Sequence, residues 1–168
     1  MNIKESISKR LYILDLDNCL IFSAYEQIID LPLISKRKFH FLYHRPNLQF
    51  FLNYVFKTGD VIFYTSSKMD YAKWVVNSFK LNSDYQLFSR KYCRKKYTNF
   101  GEVYYKSIDF IDTDRKYEKI IVIDDRIDFW IGNDNIEFFD IPPFMGEKED
   151  DILKLWVLNR LKNQEKIR

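Results

Sequence analysis

Two pairs of carboxylates each follow a short apolar stretch of the sequence. Asp15 and Asp17 come at the end of LYILDLD, and Asp124 and Asp125 come at the end of IIVIDD. Two like charges at this spacing repel each other unless a cation or a shared proton offsets them. Mg²⁺ prefers oxygen ligands and usually binds through one or two carboxylates. The sequence therefore predicts a cation site to which both pairs contribute.

A third apolar stretch, DVIFYTSS, ends in the hydroxyls of Thr65, Ser66 and Ser67. Short apolar runs rich in β-forming residues are typical of buried strands, although the pattern alone does not separate them from buried helical segments. If the three runs are neighbouring parallel strands, their carboxyl ends meet at one sheet edge, where α/β proteins bind ligands. On the first strand, Asp15 and Asp17 would face the same side, because side chains alternate with a period of two.

These residue types suit phosphoryl transfer by an aspartate nucleophile, in which a carboxylate attacks phosphorus. The reaction needs a divalent cation, an acid/base and groups that hold the phosphoryl oxygens. We predict that Asp15 and Asp124 bind Mg²⁺, with Asp125 supporting them directly or through water. Asp17 is then the acid/base, and Thr65 offers a hydroxyl and a backbone N–H. A lysine is also required, and the residues leave four candidates open: Lys91, Lys95, Lys96 and Lys106.

Helical patterns lie between and after these stretches. Apolar positions recur at helical spacing over residues 48–56, with Pro46 near the first turn and Gly59 at the C-terminal stop. A second helix is predicted over residues 69–79, capped by one of the serines of DVIFYTSS, and a last helix over residues 150–162. Strands that alternate with helices predict βαβ units and a parallel sheet.

Two short β-like runs, residues 28–34 and 39–43, follow the first strand. They predict a hairpin or flap over the strand ends. Further along, residues 86–97 are predicted to be extended, and residues 136–139 to form the last strand.

The composition is that of an ordinary globular protein, and we expect a single domain over residues 1–168. The net charge of +3 favours anionic partners only slightly. The N-terminus lacks the apolar core of a signal peptide, and no apolar run approaches the ~18 residues of a membrane span. We therefore expect a cytoplasmic or nuclear protein that does not enter the membrane.

Several segments of the chain resemble one known family. The segment DLDNCL, which begins at Asp15, resembles the first signature of haloacid dehalogenase (HAD) superfamily phosphatases. More narrowly, residues 11–162 resemble the small C-terminal-domain phosphatase branch, also called NLI-interacting-factor-like. The other motifs that match this branch, in order, are Arg45-Pro46, Thr65-Ser66-Ser67, Tyr71-Ala72, Arg90 with Cys93, residues 104–108, Asp124-Asp125 and Asn135-Ile136.

The resemblance implies an α/β fold, namely a Rossmann-like HAD fold with a central parallel sheet flanked by helices. It also implies a short β-hairpin insert after the first strand, at about residues 24–44, and no large cap. Among the four lysines it selects Lys106, which would hold the phosphoryl group together with Thr65 and Ser66. Asp15 would carry the aspartyl-phosphate.

The resemblance also implies the ligands of the Mg²⁺ cofactor. They would be the carboxylates of Asp15, Asp124 and Asp125 and the backbone carbonyl of Asp17. The chain departs from the family where Cys19 replaces a threonine and Asn18 replaces an acidic residue. Because the expected catalytic side chains are all present, the sequence predicts retained catalysis, and the departures bear on specificity.

The predicted function is a Mg²⁺-dependent phosphomonoester hydrolase, with a phosphoserine or phosphothreonine protein as the favoured substrate. The basic segment RKYCRKKY, residues 90–97, motivates an alternative, a nucleic-acid end or nucleotide phosphatase. A third possibility of another class is a non-catalytic phospho-binding or scaffold module, which Asn18 and Cys19 motivate.

Overall fold

The computed structural model describes residues 10–111, 117–132 and 136–165. The helices are α1 (Leu48–Thr58), α2 (Met69–Asn77) and α3 (Ile152–Glu165). The strands are β1 (Arg10–Leu14), β2 (Ile21–Ala24), β3 (Ser35–Arg37), β4 (His40–His44), β5 (Asp60–Tyr64), β6 (Gln86–Phe88), β7 (Arg94–Thr98), β8 (Gly101–Ser107), β9 (Lys119–Asp124), β10 (Trp130–Ile131) and β11 (Ile136–Asp140).

Five parallel strands form the central sheet in the order β11-β9-β1-β5-β6. At the carboxyl end of β1, Leu14 lies opposite Phe63 of β5 and Ile123 of β9. The next residue, Asp15, is therefore level with the ends of both neighbouring strands, and its N–H donates to the Ile123 carbonyl at 3.0 Å. The predicted α/β fold with a central parallel sheet is confirmed.

The two faces of the central sheet are covered differently. All three helices pack on one face, where Tyr12 and Leu14 meet the buried side chains of Phe51 and Trp156. On the other face, Leu11 and its neighbours pack against residues of the turns and of a second sheet, in the order β10-β8-β7. The second sheet and the neighbouring turns thus cover the face of the central sheet that the helices do not cover.

The insert after β1 differs from its prediction. It is a three-stranded antiparallel sheet in the order β2-β4-β3 and begins at Ile21. Residues 28–34, predicted as a strand, are irregular. They contain Pro32, which lacks the N–H that a sheet ladder needs, and Ile29 is 92% exposed instead of packed. The strand partners of β4 come from residues on either side of this loop.

Other boundaries follow the predictions with local changes. The second helix ends at Asn77, and Lys68 occupies its N-cap without a side-chain cap bond, so the predicted serine cap is wrong. Residues 90–97 are a 3-10 turn (Arg90–Tyr92) followed by β7, not one extended run. Of the matched Asn135-Ile136 motif, the first residue lies outside the described residues. None of the helices in the described ranges has the length and apolar character to cross a membrane.

Gly59 ends α1, as predicted, but it does so without a left-handed conformation. Its φ of −177° is extended and not left-handed, so backbone conformation alone does not require glycine there. A Cβ at this position would lie 2.6 Å from the Arg10 carbonyl oxygen and 2.9 Å from a ring carbon of Tyr12. Gly59 therefore allows the end of α1 to approach the backbone of β1.

We expect Gly59→Ala to lower the free energy of unfolding by about 1–3 kcal/mol, the usual range for added volume in a packed site. The new methyl group would overlap a strand backbone, which cannot rotate away as a side chain can. Urea unfolding of the two proteins measures the difference. Ser83→Ala, at an exposed loop position, is the control. An unchanged midpoint in Gly59→Ala would mean that β1 and α1 separate without cost.

Candidate active site

A cleft of about 350 Å³ opens at the carboxyl ends of β1, β5 and β9. Asp15 and Thr65 directly follow their strands, and Asp124 is the last residue of β9. The structure brings the predicted site residues to this cleft, which is lined by Asp15, Asp17, Thr65, Ser66, Lys106, Asp124 and Asp125. The convergence follows from the parallel register, except for Lys106, which comes from β8 of the second sheet.

Lys106 is the centre of the polar contacts in the cleft. Its ammonium donates to Asp15 Oδ1 and, at 2.6 Å, to Asp124 Oδ2, and all three residues are buried. Asp124 Oδ2 also accepts from the indole N–H of Trp130 at 2.8 Å, and Oδ1 accepts from the backbone N–H of Arg126 at 2.8 Å. Asp124 is thus held at both oxygens, and Lys106 joins it to Asp15.

Burial and like charge shift the pKa values of this cluster. Burial raises the pKa of Asp15 well above its usual range, and the ammonium of Lys106 opposes that shift only in part. Burial alone would lower the pKa of Lys106, but Asp124 and Asp15 outweigh it and raise the pKa. Burial and the charge of Asp124 also raise the pKa of Asp125. Burial and like charge therefore disfavour the ionised forms of Asp15 and Asp125, and one lysine offsets this only in part.

The carboxylates fit a divalent metal ion. Asp15, Asp124 and Asp125 each offer an oxygen, and these oxygens lie within 4.8 Å of one another. Ligands on opposite sides of a Mg²⁺ ion are roughly 4 Å apart, so a separation of up to 4.8 Å is slightly wider than one such ion requires. Hard oxygen donors are also the type that Mg²⁺ prefers. The grouping is that of the predicted metal carboxylates, whereas the Mg²⁺ itself stays a prediction.

The carboxylate of Asp17 is held apart from this cluster. Its Oδ2 accepts from the Ser67 hydroxyl at 2.9 Å, and its Oδ1 accepts from the Tyr71 hydroxyl at 2.5 Å. Both carboxylate oxygens of Asp17 thus have a donor, and the binding of a metal by its backbone carbonyl stays a prediction. Sequence reasoning missed the two hydroxyl partners. The signal for Tyr71 was its polar hydroxyl in the first turn of α2, close to the strand ends.

Thr65 presents its side chain to the cleft but not its backbone. Its N–H donates to the Phe88 carbonyl at 2.9 Å, so the prediction that this N–H would bind phosphate is wrong. Its Oγ1 accepts from the Ser67 N–H at 3.0 Å, which leaves the hydroxyl proton available. Ser66 is half-buried at the cleft wall, where its carbonyl accepts from Arg90 Nε at 2.7 Å.

The two departures from the family signature are accommodated in the loop after β1. Asn18 has a φ of +59°, the left-handed conformation that asparagine adopts more readily than most residues. Cys19 is buried, and its thiol donates to the Ile123 carbonyl at an S···O distance of 3.6 Å. Burial raises the pKa of this thiol, so it stays protonated and keeps its donor.

Arg45 holds the same loop, the one after β1, through the backbone of that loop. Its guanidinium is buried and donates to the Cys19 carbonyl at 3.0 Å and to Asp150 Oδ2 at 2.9 Å. Asp150 in turn accepts from the first N–H of α3 at 3.0 Å. The Arg45-Pro46 motif therefore connects the loop that carries Asp17 to the start of the last helix.

Comparison with known proteins identifies similar sequences. Residues 10–168 match the sequence profile of a family described as NLI interacting factor-like phosphatase. The chain is 37% identical over 82 residues to CTD phosphatase-like protein 355R of Invertebrate iridescent virus 6. It is 35% identical over 86 residues to the protein of the same name from Invertebrate iridescent virus 3. The matches cover 42% and 45% of this chain and 45% and 46% of the viral proteins, so the chain spans under half the length of these relatives.

Solved structures share the fold. The fission yeast RNA polymerase II CTD phosphatase Fcp1, solved as a variant bound to beryllium fluoride, matches with a TM-score of 0.56 and 20% identity. The match covers 94% of this chain and 51% of that one. A second Fcp1 structure, described as an essential RNA polymerase II CTD phosphatase, gives a TM-score of 0.59 at 19% identity and covers 95% and 51%.

We expect Lys106→Met to lower the free energy of unfolding by about 3 kcal/mol at pH 8, because it leaves the carboxylates of Asp15 and Asp124 buried without their cation. The loss should be smaller at pH 5. A buried carboxyl whose pKa is raised binds protons more tightly in the folded chain, so its destabilisation falls as the pH decreases. Lys95→Met, which removes an exposed ion pair, is the control and should change stability little.

Thermal unfolding with and without Mg²⁺ completes this experiment. A cation bound by the carboxylates stabilises the folded chain by mass action. Mg²⁺ should therefore raise the melting temperature of both the native protein and Lys106→Met. Equal melting temperatures at pH 8 for native protein and Lys106→Met would contradict the assigned role of this lysine.

Proposed function

Because the chain belongs to the NLI interacting factor-like phosphatase family, we propose that it is a Mg²⁺-dependent phosphomonoester hydrolase that acts through an aspartyl-phosphate on Asp15. The observation that carries the proposal is the buried contact of Lys106 with Asp15 and Asp124 at the end of three parallel strands. It supplies a carboxylate nucleophile, a fixed cation and a metal-binding carboxylate in one cleft, as phosphoryl transfer requires.

In the first half of the reaction, a carboxylate oxygen of Asp15 forms a bond to phosphorus while the bond to the leaving oxygen breaks. Asp17, as the acid, gives its proton to that oxygen. Lys106 and the hydroxyl of Thr65 donate hydrogen bonds to the phosphoryl oxygens, which gain negative charge in the transition state. Ser66 lies at the same wall of the cleft and contributes a further polar contact.

In the second half, water replaces the leaving group. Asp17 takes a proton from the water, the oxygen attacks phosphorus, and the bond to Asp15 breaks to release inorganic phosphate. The hydroxyls of Ser67 and Tyr71 suit this alternation because a hydroxyl can donate to a carboxylate and accept from a carboxylic acid. The Asp17 side chain therefore keeps its orientation whether it is protonated or ionised.

A divalent cation, when bound, neutralises charge between the nucleophile and the phosphoryl group. The carboxylates of Asp15, Asp124 and Asp125, with the backbone carbonyl of Asp17, would hold it. Trp130 and the Arg126 N–H keep Asp124 in one orientation, which is the role that outer partners have around metal ligands.

We assign phosphorylated protein, with phosphoserine or phosphothreonine, as the substrate class. The support is that the matched proteins are described as CTD phosphatases, in one case of RNA polymerase II. The presence of Asp15, Asp17 and Lys106 in one cleft supports catalysis over a scaffold role without turnover. The cytoplasmic or nuclear location stays a prediction.

Hydrolysis of a generic aryl phosphate by the full chain tests the mechanism. Activity should require Mg²⁺, vanish with a chelator, and fall on the order of a thousandfold or more in Asp15→Asn, as for loss of a catalytic nucleophile. Asparagine nearly keeps the shape of aspartate but is a poor nucleophile and metal ligand. Asp84→Asn, at an exposed position, is the matched control and should keep full activity. Turnover that survives Asp15→Asn would exclude the aspartyl-phosphate.

Tyr71→Phe tests the orientation of Asp17. We expect kcat to fall roughly tenfold with little change in KM, since removal of this donor leaves the acid less well aligned. The loss should be larger for an alkyl phosphate than for an aryl phosphate, because the alkoxide leaving group depends more on protonation. Tyr85→Phe is the matched control. An equal loss on both substrates would argue that Tyr71 acts on structure and not on proton transfer.

A further inference from the structure

A strongly basic surface lies next to the cleft, and its exposed cations have no part in the reaction proposed above. It consists of residues 90–107, which we call the basic hairpin: the 3-10 turn Arg90–Tyr92 and the antiparallel pair β7 and β8. Every residue of β7 is exposed. Apart from buried Lys106, the basic hairpin has one acidic residue, Glu102, against the cations Arg90, Lys91, Arg94, Lys95 and Lys96.

Three of these cations have no carboxylate partner among the described residues: Arg90, whose guanidinium lies over the Tyr104 ring, and the two lysines Lys91 and Lys96. Arg94 pairs with Asp109 and Lys95 with Glu102, whereas Lys91 and Lys96 form no ion pair. Each of these two lysines lies over an aromatic ring instead, with its Nζ 4.7 Å and 4.5 Å from the centroids of the Tyr92 and Tyr105 rings, respectively. The rings hold the ammonium groups at defined places on the surface, where their charge remains available to an anion.

The tip of the basic hairpin exposes aromatic rings. Phe100 is fully exposed, and Tyr97 is 77% exposed. Gly101 follows at a φ of +112°, which makes the turn that projects Phe100 from the body of the protein. Flat aromatic faces beside lysines are what proteins use to bind single-stranded nucleic acid without sequence preference: bases stack on the rings, and the phosphates meet the cations.

The basic hairpin is continuous with the cleft. Tyr104 and Glu102 of β8 line the cleft wall, and the guanidinium of Arg90 lies 4.6 Å from the centroid of the Tyr104 ring. From Lys106 to Gly101, β8 extends about 16 Å, at roughly 3.3 Å per residue. A nucleic-acid strand bound at the tip and along β7 would therefore lie beside the cleft without entering it.

We propose that the basic hairpin binds single-stranded nucleic acid, with a base stacked on Phe100 at the tip and phosphates on Lys91 and Lys96. An acidic peptide would use the cations but leave the exposed ring faces unused, so the combination favours nucleic acid. This binding is separate from the hydrolysis at Asp15 and would place the phosphatase on a nucleic acid near its substrate.

Fluorescence anisotropy of the full chain with a labelled single strand of about 15 nucleotides, without a terminal phosphate, tests the proposal. We expect affinity to fall with salt, and the salt dependence to weaken by about 0.7 in log–log slope for each phosphate contact removed in Lys91→Gln/Lys96→Gln. Phe100→Ala should weaken binding on the order of tenfold with the slope unchanged, because stacking releases no counterions. Lys73→Gln/Lys148→Gln, which removes the same charge from other exposed positions, should leave both quantities unchanged.

Two further measurements identify the ligand class. A poly-glutamate peptide of the same length should bind more weakly than the oligonucleotide and should not respond to Phe100→Ala. Equal binding of the peptide, or an unchanged affinity of Phe100→Ala for the oligonucleotide, would overturn the proposal in favour of an acidic protein partner. Absence of oligonucleotide binding, or an equal loss in the Lys73→Gln/Lys148→Gln control, would also overturn it.

Catalysis is measured on the same proteins. The variants of the basic hairpin should hydrolyse aryl phosphate at the native rate, because Lys91, Lys96 and Phe100 do not line the cleft. Asp15→Asn should bind the oligonucleotide as the native protein does. Loss of oligonucleotide binding in Asp15→Asn would place the ligand in the catalytic cleft instead of on the basic hairpin, and so contradict the proposal.

Discussion

The arrangement of charged side chains in the cleft depends on one buried ammonium group, that of Lys106. Lys106 lies between Asp15 and Asp124, and removal of such charges from water is costly unless each is paired and hydrogen-bonded. The pairing is possible only because β1 and β9 end at the same level of the sheet. The indole N–H of Trp130 donates to the same oxygen of Asp124 as Lys106 does, and the Arg126 N–H donates to the other, so both oxygens of this buried carboxylate have donors.

The second sheet, β10-β8-β7, both positions Lys106 and packs against the core. In β8, Lys106 lies opposite Trp130 of β10, and Trp130 also packs on the face of the central sheet that the helices leave uncovered. The same short sheet therefore covers apolar surface and delivers the lysine. Because Lys106 and Trp130 lie side by side on β8 and β10, a change in the register between these two strands would separate the cation from the residue that covers the core.

The parts of the site that could be predicted are those that strand ends determine. Asp15, Thr65 and Asp124 each follow an apolar run, and parallel pairing brings such ends together. Lys106 could not be chosen from spacing alone, since four lysines were available and its position depends on a second sheet; the family resemblance selected it. The partners of Asp17 depend on how α2 is oriented, which periodicity does not specify.

The differences between the predictions and the structure have equally local causes. The run at residues 28–34 is apolar enough to suggest a strand, but Pro32 and the exposed Ile29 show that it forms no ladder. Gly59 ends α1 as predicted, but the sequence did not show that its lack of a Cβ is needed for the approach to β1. Backbone approach between distant segments leaves no periodic trace in a sequence.

The contact of Arg45 with Asp150 joins residues 105 positions apart and has a consequence for the order of folding. Each side chain of the cleft precedes Asp150 in the chain, so during synthesis it emerges from the ribosome before the carboxylate that anchors the loop after β1. Domains generally fold as units, and contacts of such long range form only when the chain between them is complete. The cleft should thus be one of the last regions to reach its final form, after α3 has joined the core.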